Sequence, residues 1–439
     1  MRLLFVDQNG EGLDLSWRAQ TNGHAVKHFI KDDPKSDKIG LNIVPVVREW
    51  QKHVEWADLV IFADNTLYLQ DVDRLRANGV KVIGASSDSA RLELDRSHGM
   101  SVFKKHGIQT IPYKTFEDYD EAIAYVKRTG ARYVSKPDDD KGDKALSYVS
   151  KSPADMVYML DRWARNDKLH GKFILQQFVS GIEMAVGAWV GPSGFASPWC
   201  ENWEYKKLMP GDMGPNTGEM GTVLRYTKKS KLANKVLKPL ESYLANTGHV
   251  GYVDVNCIIT DEGVPFPLEF TTRFGWPTAN IQIPLHADFF SGLDNLADGG
   301  NNFKCHCDLV SIGACLAVPD FPYSHITRKE VVGMPIYGLR PALMEHIHPC
   351  NMMMEKNLPD MQAGAVIRRS MFATAGDYVM VVTATGLTIS AARETLERRL
   401  KTISIPNSPF HRNDIGQSLA TRLPKLQSHG YATGLTYRD

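Results

Sequence analysis

A chain of 439 residues exceeds what one hydrophobic core usually supports, so two to four lobes are expected. Its 51 Lys plus Arg against 50 Asp plus Glu leave a formal net charge of +1, which gives no broad footprint for a polyanion and argues against a dedicated nucleic-acid binder. The longest apolar runs, such as Leu59 to Ala63, are too short to span a bilayer, and Met1 to Asp7 reaches an acid too early for a signal peptide, so a soluble cytoplasmic protein is expected.

The chain starts with an apolar run, Leu3 to Val6, that ends in the turn Asp7-Gln8-Asn9-Gly10-Glu11-Gly12, after which Leu13, Trp17 and Ala19 continue at helical spacing. Two further runs, Asp58 to Ala63 and Val80 to Gly84, flank a helical stretch with Val72, Leu75 and Ala77, and this alternation predicts a small parallel α/β unit. A single helix is expected from Arg91 to His106. Beyond it, strands at Tyr133 to Lys136 and Phe173 to Phe178 mix with one helix, Ala154 to Ala164, as in an α+β unit. A β-rich lobe follows, with a strand at Met184 to Val190, a Gly- and Pro-rich loop at 210–221, and a hairpin that pairs Tyr252 to Ile259 with Phe266 to Phe270. Strands at Val310 to Ala314 and Tyr378 to Thr383, with a helix from Ile389 to Thr402, close the chain. The six cysteines lack the paired spacing of a zinc site or the density of a disulfide scaffold, and read as reduced thiols.

Four segments have residue types suited to phosphate and metal chemistry. Lys136 to Lys144 is a charged loop directly after a strand, where cations can sit against phosphate oxygens; a plain solvated turn has the same composition. Gln176-Gln177-Phe178 ends a strand and leads to Glu183 just past a turn, placed either to accept hydrogen bonds from ribose hydroxyls or to close an ordinary hairpin. Asp212 to Gly221 packs three glycines together with Pro215, Asn216 and Thr217, which lets backbone approach a small ligand. In Leu268 to Gly275, period-two geometry puts Glu269, Thr271 and Arg273 on one face, able to hold Mg2+ beside an anionic substrate or to form an exposed Glu–Arg pair.

Together and in this order, the segments resemble the phosphoribosylamine–glycine ligase family. Its Gly-Pro-Asn-Thr-Gly-Gly-Met-Gly loop is matched by Gly214 to Gly221, with Glu219 in place of one glycine, and its Glu-Phe-Asn-x-Arg-Phe-Gly strand by Glu269 to Gly275. Phe410 to Gly416 and Val382 to Gly386 are similar to two further family segments near the end. The resemblance implies an ATP-grasp fold combining α/β and α+β parts: an N-terminal parallel α/β domain (1–90), a small β-rich lid with the nucleotide hinge (91–183), a central β-rich lobe (184–305) and a C-terminal α+β domain (306–439). It implies that Arg96, Lys136, Lys144, Gln176, Gln177, Phe178 and Glu183 hold ATP. Asp212, Pro215, Asn216, Thr217, Arg273 and Gly275 then face substrate, and Lys136 and Arg273 assist the transfer. Glu269 matches a magnesium ligand; Thr271 replaces the usual Asn, and Asp254 on the partner strand is the candidate to complete the site.

By resemblance, glycine is activated as an acyl phosphate, with release of ADP, and captured by an amine. The family's first turn, Gly-Asn-Gly-Gly-Arg-Glu-His, contributes to holding a phosphoribosyl phosphate, whereas here an Arg is missing and Asp7, Glu11 and Asp14 are added. That change is expected to disfavour a phosphate, and it favours a ligase joining an amino acid to a different amine. A nucleotide-binding protein without catalysis is the reading from another class.

Overall fold

The structure is a computed structural model that describes residues 1–31, 37–137, 147–166, 172–323, 329–362 and 364–438. Its first unit is a five-stranded, wholly parallel sheet in the order Val46–Val47, Ala25–Ile30, Arg2–Asp7, Leu59–Phe62, Val82–Ile83. Leu3, Leu4, Phe5 and Val6 are all buried, as expected for a central strand covered on both faces. The turn after that strand needs Gly10, whose φ of +79° lies in the left-handed region.

The expected single helix from Arg91 to His106 is two, Ser87–Leu94 and Arg96–Lys105. Asp95 leaves helical geometry between them, and its carboxylate accepts from the His98 N–H, capping the second helix. The break places Arg96 at a helix start. The lid is a four-stranded antiparallel sheet ordered Tyr113–Phe116, Phe173–Gln177, Tyr133–Pro137, Tyr148–Val149. Two helices pack on it where one was expected. Pro153–Arg165 corresponds to the expected helix, and Tyr119–Thr129 is started by the Asp118 cap and stopped by Gly130 at φ +61°. Tyr119, Ala122, Val126, Met156, Leu160 and Trp163 meet Phe116, Phe173 and Leu175 in a separate small core.

The largest element is an eight-stranded antiparallel sheet: Pro265–Thr271, Gly251–Ile259, Ile182–Gly191, Gly194–Glu204, Gly221–Thr227, Val310–Ala317, Tyr378–Gly386, Ile347–Pro349. The hairpin read from the sequence forms its edge. The sheet runs without interruption across residue 305, so the last two expected domains share it. On one face Val186, Val255, Ile312 and Val382 belong to one apolar cluster, and helix Ile389–Leu400 covers its Val310–Ala317 and Tyr378–Gly386 strands. On the opposite face Trp189, Leu224 and Tyr226 join Phe5 and Ile61 of the parallel sheet in one apolar cluster. Polar residues interrupt this second face near the edge hairpin, and that interruption is the candidate site.

Candidate active site

Glu269 and Thr271 lie opposite Asn256 and Asp254 across the edge hairpin, and directly opposed residues of an antiparallel pair share a face. Two strands away, Asn202 and Glu204 alternate with Trp203 and Tyr205 to reach the same face. Lys206 bridges the acids from just past that strand: its Nζ is 3.0 Å from Glu269 Oε1 and 3.2 Å from Glu204 Oε2. Asn256 Nδ2 donates to Glu204 Oε2 at 2.8 Å. Arg96 closes the other side, 3.3 Å from Glu269 Oε2, while its Nε donates to the Pro137 carbonyl at the end of the lid strand. One guanidinium thus ties the lid to the large sheet. Lys136 stands on the same lid strand, partly buried.

The charges hold one another in place. Lys206 first, then Arg96 and Lys136, keep the Glu269 carboxyl well below the usual carboxylate range against the opposing effect of burial. Burial opposes the charge of Lys206, but Glu269, Glu204 and Glu183 outweigh it and raise that ammonium well above its ordinary value. Lys136 goes the other way, down to about 8, because burial and the neighbouring Arg96 exceed the attraction of Glu269. Three cations around one carboxylate leave local positive charge available to an anion.

Behind this cluster the face becomes more enclosed. Asp254 Oδ2 accepts from Asn202 Nδ2 at 2.8 Å and from the Tyr252 hydroxyl at 3.0 Å, and burial, with Glu204 nearby, pushes its carboxyl up to about 7. Gly187 makes this possible, since a Cβ there would lie 2.0 Å from the Tyr252 hydroxyl and 2.6 Å from Asp254. Glu219 is also buried, 3.5 Å from the Thr278 hydroxyl.

The other expected residues are distributed as follows. Arg273 does not continue the Glu269 face: the strand ends at Thr271, because the Thr272 N–H donates to Glu93 Oε2 at 2.7 Å instead of to a neighbouring strand. Arg273 Nε donates to Glu93 Oε1 at 3.1 Å, and Gly275 lies in the loop beyond. Pro215 and Asn216 lie in the short strand Met213–Asn216, paired with Lys207–Met209. Thr217 donates both its N–H and its hydroxyl to the Lys206 carbonyl, at 2.8 and 2.9 Å, so its contact is with the backbone that carries the bridging lysine. Asp212 accepts from Arg412 at 2.7 Å.

Gln177 is exposed, its N–H donating to the Pro112 carbonyl, and Phe178 lies under the Arg132 guanidinium, 3.4 Å from ring centroid to charge. Gln176 is buried, with its Nε2 unpartnered among the described residues, and Glu183 is exposed at the start of its strand. Lys144, with the rest of 138–146, lies outside the described residues. Sequence reasoning missed Lys206, Glu204, Asn256, Asn202 and Glu93. The alternation of Asn202 and Glu204 with aromatic Trp203 and Tyr205 was the available signal for the strand residues.

Among the described residues no group of three or more His, Cys, Asp or Glu is arranged to hold a metal by itself, Cys305-His306-Cys307 included. The donors at the cluster nevertheless fit Mg2+, which is commonly held by one or two carboxylates together with substrate phosphates. Glu269 supplies such a carboxylate, and Glu204 and Asn256 add hard oxygen atoms beside it.

The chain is similar to known proteins along most of its length. Residues 95–279 match the family model described as phosphoribosylglycinamide synthetase, ATP-grasp (A) domain. A phosphoribosylamine–glycine ligase of Salmonella typhimurium is 24% identical over 95% of this chain and 98% of its own length. That of Halalkalibacterium halodurans is 26% identical over 81% of each. The crystal structure of phosphoribosylamine–glycine ligase from Thermotoga maritima superposes with a TM-score of 0.72 at 20% identity, covering 95% of this chain and all of that one.

Proposed function

We propose that this chain, similar to phosphoribosylamine–glycine ligase along most of its length and matched by the ATP-grasp family model over residues 95–279, is an ATP-grasp ligase that forms C–N bonds and uses ATP and Mg2+ to join a small amino acid, glycine in the first instance, to an amine. The observation that carries this reading is the cluster of Lys136, Arg96 and Lys206 around Glu269, at the junction of lid and large sheet. Two anions, a carboxylate and a triphosphate, must meet there, and their repulsion is the first barrier to be lowered. Lys136 and Arg96 face the phosphates, and Lys206 holds Glu269 ionised and in place. Glu269, with Thr271 or Asp254 nearby, would hold Mg2+, which when bound would add to the neutralisation of phosphate charge. A closed lid keeps water from the acyl phosphate until the amine displaces phosphate. Arg273, fixed on Glu93, stands at the loop edge of the same strand for the substrate carboxylate. ATP contacts are assigned to Gln176, Gln177, Phe178 and Glu183 at the hinge, and substrate contacts to the 212–217 loop and Gly275.

A specific observation bears on the amine. Relatives are named for phosphoribosylamine, but the first turn here is filled by its own acid: Asp7 Oδ1 accepts from the Asn9 and Gly10 N–H groups at 3.0 and 2.9 Å, and Asp7 Oδ2 from Gly12. Amides occupied this way are not free for a phosphate, which supports a second reading with an amine acceptor carrying no phosphate at that turn. The added Asp14 acts differently from expectation. It is buried and bonded to Arg18, His348 and Asn280, so it does not repel a ligand from the turn surface.

The test is a mass spectrum of the amide formed from glycine, ATP and Mg2+ with a panel of amines that includes phosphoribosylamine. ADP release that needs both the carboxylate and Mg2+ is expected. Equal release in EDTA, or without a carboxylate, overturns the ligase reading, and efficient capture by phosphoribosylamine overturns the second reading of the acceptor.

A further inference from the structure

The enclosed end of the site contains buried acceptors that meet no donor among the described residues. Glu219 Oε1, Asn202 Oδ1 and Thr222 Oγ1 have no hydrogen-bond partner among the described residues, although Glu219 is 7% exposed and the other two residues 0%. Buried polar atoms are nearly always paired, so such a group points to a missing donor. All three belong to one wall. Thr222 lies opposite Glu204 in the sheet register, Asn202 precedes Glu204 by two residues on the same face, and Glu219 is close enough to Glu204, Lys206 and Asp254 for their charges to act on it. Glu219 Oε2 is already engaged, 3.5 Å from the Thr278 hydroxyl on helix Thr278–Gln282, which leaves Oε1 for a ligand.

Resting on the ligase reading above, we propose that Glu219, Asn202 and Thr222 receive the ammonium group of the amino-acid substrate. A primary ammonium carries three N–H donors, and the wall offers three oxygens: an amide, a hydroxyl and the Glu219 carboxyl, whose ionisation is opposed by burial and Glu204 and favoured by an ammonium against it. The set suits a monovalent donor better than a second metal, since it contains a single carboxylate and lies beside the Lys206 cation, whereas Mg2+ demands an octahedral shell of hard oxygens. Glu219 stands where the related family has glycine in its Gly-Pro-Asn-Thr-Gly-Gly-Met-Gly loop, so this acid is a feature of this chain. A wall that hydrogen-bonds an ammonium also rejects the analogue lacking it, because the same oxygens are then left buried and unpaired. The acid is therefore a specificity-determining residue that requires the carboxylate substrate to be an amino acid.

Isothermal titration calorimetry on the full chain, saturated with Mg2+ and a non-hydrolysable ATP analogue, compares glycine with acetate and β-alanine with propionate. Binding of at least one amino acid without its des-amino analogue is expected. Glu219→Gln, nearly isosteric, should weaken that binding roughly 10- to 100-fold while ATP-analogue affinity changes by less than about twofold, and Glu219→Asp should recover part of the loss. Thr222→Val provides a second, independent weakening should the first variant fold poorly. Equal amino-acid affinity in wild type and both variants overturns the assignment, as does equal binding of acetate and glycine, absence of any amino-acid binding, or a Mg2+ titration whose tight site disappears with Glu219. ADP release is read separately: amino-acid binding that depends on Glu219, without turnover in wild type, keeps this assignment and contradicts the ligase reading.

Discussion

Glu269 is the residue on which the charge arrangement turns, since Lys206, Arg96 and Lys136 all act on it. Glu269→Gln preserves volume and removes the charge that holds the cations in register and that, in the proposed function, would hold the metal. Turnover should fall by well over tenfold, a loss larger than about 1.4 kcal/mol in the barrier, while circular dichroism remains that of the wild type. A folded variant that keeps more than about a tenth of wild-type ADP release means another acid is the principal ligand, and Asp254→Asn is then the variant to measure. At this scale the sequence was legible where a residue type is rare in a strand, as with Glu269. Lys206 was not legible, because Tyr205-Lys206-Lys207 reads as a charged surface stretch and only the fold brings it within 3.0 Å of Glu269. Arg273 was misplaced for a related reason: period-two geometry holds only while the strand lasts, and Glu93, distant in sequence, ends it.

Among the elements, the short hairpin 207–216 is held from the far end of the chain. Arg412 is buried, stacks on Tyr205 at 5.0 Å, donates to Asp212, Asp414 and the Lys207 carbonyl, and Asp414 accepts from the Gly211 N–H. Asp212 and Asn216 read as ligand-facing residues because glycine-rich loops often are, and no local pattern signalled that Arg412 would also bind the aspartate. Arg412→Ala should cost about 1–3 kcal/mol in urea unfolding, within the range for hydrogen bonds to charged groups and a buried partner left unpaired. It should also make the 207–216 segment cleave faster in limited proteolysis. Because Thr217 anchors the Lys206 carbonyl, kcat/KM should fall as well, and Arg412→Lys should recover little, since a lysine lacks the planar fork that reaches both aspartates. Unchanged unfolding and cleavage would mean that the hairpin is held by its own strands. The lid illustrates the opposite case: Asp118, Ala122, Val126 and Gly130 spell out a capped amphipathic helix, so the second lid helix was legible and simply overlooked.

Across the whole molecule, the parallel and antiparallel sheets are joined by buried polar contacts as well as by apolar packing. Asp14 Oδ2 binds His348 Nδ1 at 2.7 Å, His348 Nε2 meets the Thr383 hydroxyl, and Arg18 reaches the Ile347 carbonyl. Among the described residues no helix is long and apolar enough to cross a membrane. Alternating strands and helices made the first unit legible, but the sheet shared across residue 305 was not, because pairing between distant strands leaves no local pattern. Burial holds His249 and His286 down to about 3 and His348 to about 4. Below about pH 6.5 the unfolded chain takes up protons that these folded histidines refuse, so each loses stability as pH falls, by up to about 1.4 kcal/mol per unit. Asp254 and Glu219 oppose this, since their raised values let the fold bind protons that the unfolded chain lacks above about pH 4. A variant isolates one contribution. Between pH 7 and 5, His286→Gln should lose about 2 kcal/mol less stability than wild type in urea unfolding, and equal losses would mean that His286 is protonated in the fold.

The central claim, that a substrate carboxylate attacks the γ-phosphate and an amine then displaces phosphate, is tested most directly by oxygen tracing. The carboxylate oxygen that bonds to phosphorus must leave with it when the C–O bond breaks. With glycine labelled with 18O in its carboxylate, ATP, Mg2+ and an amine that is captured, released phosphate should carry one 18O for each ADP formed. Phosphate that appears with ADP but without the label would show that water, not the carboxylate, takes the phosphoryl group, and would contradict the acyl-phosphate route.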